Sequence, residues 1–126
     1  MIDGLYNQEA YNAAKKMMEL AVQKHEAYAN NLANMETPGY KRVEIDTNFQ
    51  SKLQEAVKNG DIKTLQTLQP KFVKDVKTPQ VRADGNNVEL DRELLHIKQN
   101  ALEHELAAKV MSSSLSRLKL AIKGRQ

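Results

Sequence analysis

Between residues 88 and 123, apolar side chains return every three or four positions through five consecutive heptads. Leu90, Ile97, His104, Met111 and Leu118 form one row, and Leu94, Ala101, Ala108, Leu115 and Ile122 form its companion. Nine of these ten positions are apolar. A strand alternates with period two and cannot hold such a pattern on one face, so the segment is a long helix with a coiled-coil-like seam. A further stripe, Leu95, Leu102, Leu106 and Val110, runs beside that seam. A helix with a seam and an extra stripe expects more than one neighbour.

The partner available within the chain is residues 9–35. There Tyr11, Met18, His25 and Leu32 make one row, and Ala14, Ala21, Tyr28 and Met35 the other. Lysine, glutamate and asparagine fill the opposite face, giving an amphipathic helix of about 40 Å at 1.5 Å per residue. Thr37-Pro38-Gly39-Tyr40 ends it. A residue before proline avoids the helical region, and Pro-Gly at the central positions is the chemistry of a type II turn, with Gly39 supplying a positive φ. Alanines in both seams allow close axial approach but bury little area. At about 25 cal/mol per Å² such a seam stabilises an isolated hairpin weakly, so the helices are expected to complete their folding on packing.

The expected fold class is mainly α: two long terminal helices paired as a coiled-coil-like hairpin, with a small irregular or weakly β middle. Residues 1–36 and 88–126 form one discontinuous helical unit, and 37–87 a small insert. Within the insert, Phe49, Leu53, Ala56 and Val57 sketch a short helix ended by Asn59-Gly60. Ile62, Leu65 and Leu68 give a further turn or two before Pro70, and residues 71–76 are an extended piece. Asp84-Gly85-Asn86-Asn87 is a turn that offers Asn87, or Asp91 beyond it, as N-cap of the second helix.

Chemistry-bearing constellations are absent from the sequence. With no cysteine there is no disulfide, thiolate ligand or cysteine nucleophile. The three histidines lack zinc spacing, Ser112-Ser113-Ser114 has no nucleophile elbow, and the five scattered glycines build no phosphate loop. Neither a catalytic nor a metal site is expected, and no cofactor or small-molecule substrate. The net charge of +3 sits in residues 90–126, where seven bases face four acids and Arg117, Lys119, Lys123 and Arg125 complement a helix C-terminus. No groove-reading motif accompanies it, so nucleic acid is not an expected partner. No apolar run reaches membrane-spanning length, and MIDGLYNQEA has neither part of a cleavable signal. These features alone describe a helical interaction protein, such as an adaptor or chaperone-like binding module.

Two segments sharpen that description. Ala29-Asn30-Asn31-Leu32-Ala33-Asn34-Met35-Glu36-Thr37-Pro38-Gly39-Tyr40-Lys41 closely resembles the N-terminal signature of the bacterial flagellar axial proteins, the rod and hook group. Asp84-Gly85-Asn86-Asn87-Val88-Glu89-Leu90-Asp91-Arg92-Glu93, ahead of the second helix, is similar to the proximal rod type of that family, as is the chain length. The middle third matches weakly.

The resemblance implies a structural subunit whose terminal helices form the core of a hollow helical drive shaft in the flagellar basal body. It implies synthesis in the cytoplasm, export through the flagellar type III apparatus without a cleaved signal, and residence in the periplasm-spanning rod. Implied partners are its own copies, other proximal rod proteins, the rod–ring adaptor and the export gate. Phe49-Gln-Ser-Lys-Leu53 is also similar to the aromatic-x-x-x-aliphatic export-gate motif of early flagellar substrates; the same spacing serves ordinary core packing.

Overall fold

The computed structural model of the chain describes residues 2–80 and 82–124, with side chains except those of residues 2–8, 118 and 121. The side chain of Leu118 in the expected seam, and Arg125, therefore lie outside the described residues. The elements are α1 (Ile2–Ala33), β1 (Val43–Ile45), α2 (Thr47–Asn59), α3 (Ile62–Thr67), β2 (Phe72–Lys74) and α4 (Leu90–Lys123). The molecule is mainly helical, with the two long terminal helices packed together and a two-stranded sheet in the middle.

α1 and α4 run antiparallel. Their contacts pass from Asn31 against Glu93, through Tyr28 stacked on His96 with ring centroids 5.2 Å apart, to Ala21 against Asn100. Among the described residues, the α4 side chains buried in the subunit are Glu93, Asn100, Ala107 and Ser114, a heptad row of small and polar residues. Ile97, His104 and Met111 flank it, half-buried. Of the expected α1 seam, Ala14 and Ala21 are buried, Tyr11, Met18, Tyr28, Leu32 and Met35 half-buried, and His25 exposed.

The expected companion row on α4 differs. Leu94, Ala101, Leu115 and Ile122 are exposed, and Ala108 is half-buried. Two polar anchors explain the rotation. Glu93 must reach Arg42, and Asn100 donates to the Ala21 carbonyl at 2.6 Å, so the polar row turns inward and leucines turn outward.

The insert folds on α1. Asp46 caps α2 by accepting from the Asn48 amide, and Gly60 ends it at φ +65° with its N–H bonded back to Ala56 and Val57 carbonyls. Asp61 then caps α3 through the Thr64 amide at 3.1 Å. Phe49, Leu53 and Ala56 lie four and three residues apart, and they meet Leu20 of α1, Ile45 and Leu65 in an apolar cluster, with Leu68 beside it. The sheet is antiparallel, pairing Val43 with Lys74, Glu44 with Val73 and Ile45 with Phe72. β1 carries no sequence signal, because a three-residue strand has no periodicity and exists only through its distant partner.

The N-cap of α4 is Glu89, with no side-chain cap bond, rather than Asn87 or Asp91. The Asn87 side chain is committed elsewhere, and Asp91 already lies in the first turn of the helix.

Candidate functional site

Asn31 sits near the end of α1 with no exposed surface. Its Oδ1 accepts from the Val43 amide at 2.8 Å, and its Nδ2 donates to the Val43 carbonyl at 2.9 Å. One side chain thereby acts as a strand partner for β1 at Val43. Tyr40 donates its hydroxyl to the same Oδ1 at 3.0 Å, and Nδ2 also faces Glu93 Oε2 at 3.4 Å. Burial, and then the negative charge of Glu93, raise the Tyr40 phenol above its ordinary value, which keeps it a donor.

Arg42 lies one residue before β1 and joins three segments. Its Nε donates to Glu93 of α4, and its terminal nitrogen donates to Asp75 beyond β2 at 2.6 Å. Glu93 has no exposed surface, and Arg42 and Asp75 are buried. Burial works against the Arg42 charge, but the bonds and charges of Glu93 and Asp75 outweigh it and raise its pKa. Burial likewise opposes the Asp75 charge. The Thr78 hydroxyl and amide, then Arg42 and the Lys77 amide, overcome that and hold its carboxyl below the ordinary range. A charge cluster this enclosed persists only because each member has partners.

Asn86 and Asn87 tie the turn before α4 to the turn after α1. Asn86 Nδ2 reaches the carbonyls of Asn34, Met35 and Thr37 at 2.8–3.0 Å, in the turn that follows α1. Its Oδ1 accepts from the Val88 amide at 2.8 Å. Asn87 accepts from the Arg42 amide at 2.7 Å and donates to the Asp75 carbonyl at 2.9 Å. Thr37–Tyr40 forms the turn, with Tyr40 N–H on Thr37 O at 3.3 Å and Gly39 at φ +74°. The Gly39 amide bonds Asp84 O at 2.8 Å, and Lys41 donates to Gly85 O, so the two signature segments lie side by side.

The residues singled out from the sequence divide by position. Asn31, Asn34, Thr37, Gly39, Tyr40, Asp84, Gly85, Asn86, Asn87 and Val88 belong to this clasp. Asn30 lends only its backbone carbonyl, to Asn34; Leu32 is half-buried, and Ala33, Pro38 and Leu90 face solvent. Phe49 and Leu53 are in the core of the insert. Arg42, Asp75 and Asn100 carried no recognisable sequence signal as site residues, and Glu93 none beyond its place at the end of the second segment. The heptad recurrence of Glu93, Asn100, Ala107 and Ser114 is the one pattern that marks the inward row.

The clasp fixes how α4 is rotated, and so what it shows to the outside. Leu90, Leu94, Leu95, Val110, Leu115 and Ile122 are exposed, as are Leu102 at 67%, Leu106 at 59% and Leu120 at 69%. So many exposed large aliphatics along one helix mark an interaction surface. Among the described residues no cluster of three potential metal ligands occurs, and no helix is long and apolar enough to cross a membrane.

A family model described as "Flagella basal body rod protein" matches residues 18–41, the second half of α1 and the turn that carries Asn31 and Tyr40. The chain is similar at 26% identity to the flagellar basal body rod protein FlgB of Buchnera aphidicola, over 92% of this chain and 96% of that one. It is 31% identical to FlgB of Aquifex aeolicus, covering 90% of this chain and 93% of the relative. The chain belongs to the FlgB family of flagellar basal body rod proteins. FlgB of Escherichia coli is 29% identical across 87% of this chain and 85% of its own. This FlgB-family chain is a structural rod subunit, not an enzyme.

Proposed function

We propose that this chain takes its place in the proximal rod by burying the outer leucine face of α4 against neighbouring axial subunits. The observation that carries this is the exposure of Leu95, Leu102, Leu106 and Leu120 on a helix already packed against α1 through another face. An open helical shaft needs heterologous contacts, in which one face meets a different face of the next copy. A groove of about 520 Å³, lined by Ala13, Met17, Leu20, Leu53 and Val57 together with Gln50, Gln54, Lys58 and Glu103, is a partly apolar surface able to receive such a face. Its partners in this reading are its own copies, the other proximal rod proteins, the rod–ring adaptor and the export gate. It is made in the cytoplasm, exported through the flagellar type III apparatus, and resides in the periplasm-spanning rod. Phe49 and Leu53 are buried in the folded subunit, so an export gate that reads them reads an unfolded chain.

Each buried leucine contributes roughly 1.5–3 kcal/mol. A deletion strain complemented with Leu102→Glu/Leu106→Glu is expected to produce a folded subunit yet fail to swim, with rods and hooks missing from electron micrographs. Both side chains face solvent in the monomer, so its thermal melting stays near wild type. Normal rods from this variant would overturn the reading.

A further inference from the structure

The two outer edges of the small sheet are treated differently. In the antiparallel register, Glu44 and Val73 face each other as a hydrogen-bonded pair, flanked by the Asp46 amide on Lys71 O at 2.9 Å and the Asp75 amide on Arg42 O at 2.7 Å. Residues 71, 73 and 75 therefore bond inward, and the N–H and C=O groups of Phe72 and Lys74 point away from β1. On β1, Asn31 closes the outward groups of Val43, while those of Ile45, whose side chain is buried, meet no hydrogen-bond partner among the described residues. On β2 no backbone or side-chain partner meets Phe72 or Lys74 among the described residues.

The side chains along this open edge have a consistent chemistry. Phe72 and Val73 are exposed, and Val76 is 80% exposed. Lys71, Lys74 and Lys77 recur at every third position among them, all exposed and in no ion pair among the described residues. Asp75, the acid between them, is turned inward onto Arg42. The strip is thus a run of three cations interleaved with apolar side chains beside unpaired backbone groups.

We infer that the outer edge of β2 receives an extended acidic segment of another protein, which adds a third strand. Main-chain bonds to Phe72 and Lys74 supply affinity, Phe72 and Val76 supply apolar contact, and the three lysines select acidic side chains. A second copy of β2 is disfavoured, because pairing two such edges sets lysine rows against each other, the device by which proteins keep edges from self-pairing. An anionic lipid surface satisfies the lysines but leaves the edge N–H and C=O groups unpaired in an apolar layer, which costs free energy. The interleaved open edge favours a peptide strand.

The inference is independent of the α4 face, and the experiment separates them. Val76→p-benzoylphenylalanine and, separately, Leu102→p-benzoylphenylalanine are introduced in the full chain in flagellated cells, irradiated, and the cross-linked peptides sequenced. The Val76 probe is expected to capture a segment of a different chain in which Asp and Glu outnumber Lys and Arg. Combining it with Lys71→Glu/Lys74→Glu/Lys77→Glu is expected to lower that yield about tenfold, since three weak surface attractions become repulsions. The Leu102 adduct to axial subunits persists in the triple variant, showing that folding and assembly are intact. Capture at Val76 of lipid, of a copy of this chain, of a segment without acidic excess, or of nothing, with the Leu102 adduct present, overturns the inference. So does a Val76 yield unchanged by the triple charge reversal.

Discussion

Asn31 shows how much one side chain does in this subunit. It sits near the end of α1, closes the edge of β1 at Val43, anchors Tyr40 and faces Glu93 of α4. Asn31→Ala leaves the N–H and C=O of Val43 without partners, at about 1–3 kcal/mol for each group kept from water. The urea midpoint of the purified subunit is expected to fall by an amount matching about 2–4 kcal/mol. An unchanged midpoint would show that water replaces the amide at no cost. Asp75 gives the pH counterpart. Its folded pKa lies below the unfolded value near 3.8, so its contribution is fully present above that value and is lost as pH falls through the lower folded pKa. Urea midpoints measured from pH 5 to pH 2 are expected to decline, and Asp75→Asn to flatten the decline while lowering stability at pH 5. At this scale the sequence was legible where the residue type is itself a conformational demand. Gly39 at a positive φ and the Asn86-Asn87 turn are such cases. Arg42, Asp75 and Glu93 were not legible as a cluster, because their sequence separations of 33 and 51 residues leave no local pattern.

Among the elements, α4 is the instructive one. Its length and helicity follow from the heptads, yet a helix with leucines on several faces does not reveal which face its own chain covers. The polar anchors Glu93 and Asn100 decide that, and they turn the leucine-rich rows outward. α2 and α3 were readable from spacing and from Asn59-Gly60, since a capped amphipathic helix encodes its own ends. β1 was not, being defined by its partner. Phe49 and Leu53 illustrate a motif with two readings, and both side chains pack in the insert core. Phe49→Ala is expected to destabilise the subunit by about 3–5 kcal/mol, read as a fall in thermal midpoint. An unmoved midpoint together with loss of export would favour the gate-binding role over packing.

For the whole molecule, the account joins a rigid clasp to an unsatisfied helix. The clasp holds α1, the insert and α4 in one orientation. α4 turns its polar and small residues inward and leaves its leucines for others, the reverse of what a helix in an isolated globular protein requires. The absence of cysteine makes the central claim directly measurable, because Leu102→Cys introduces a single thiol. Its rate of maleimide labelling should be compared between the purified subunit and intact basal bodies isolated from cells carrying the variant. The account predicts rapid labelling of the free subunit and strong protection in the assembled rod. Equal labelling in both would mean that the outer face of α4 stays in solvent after assembly, and would contradict it.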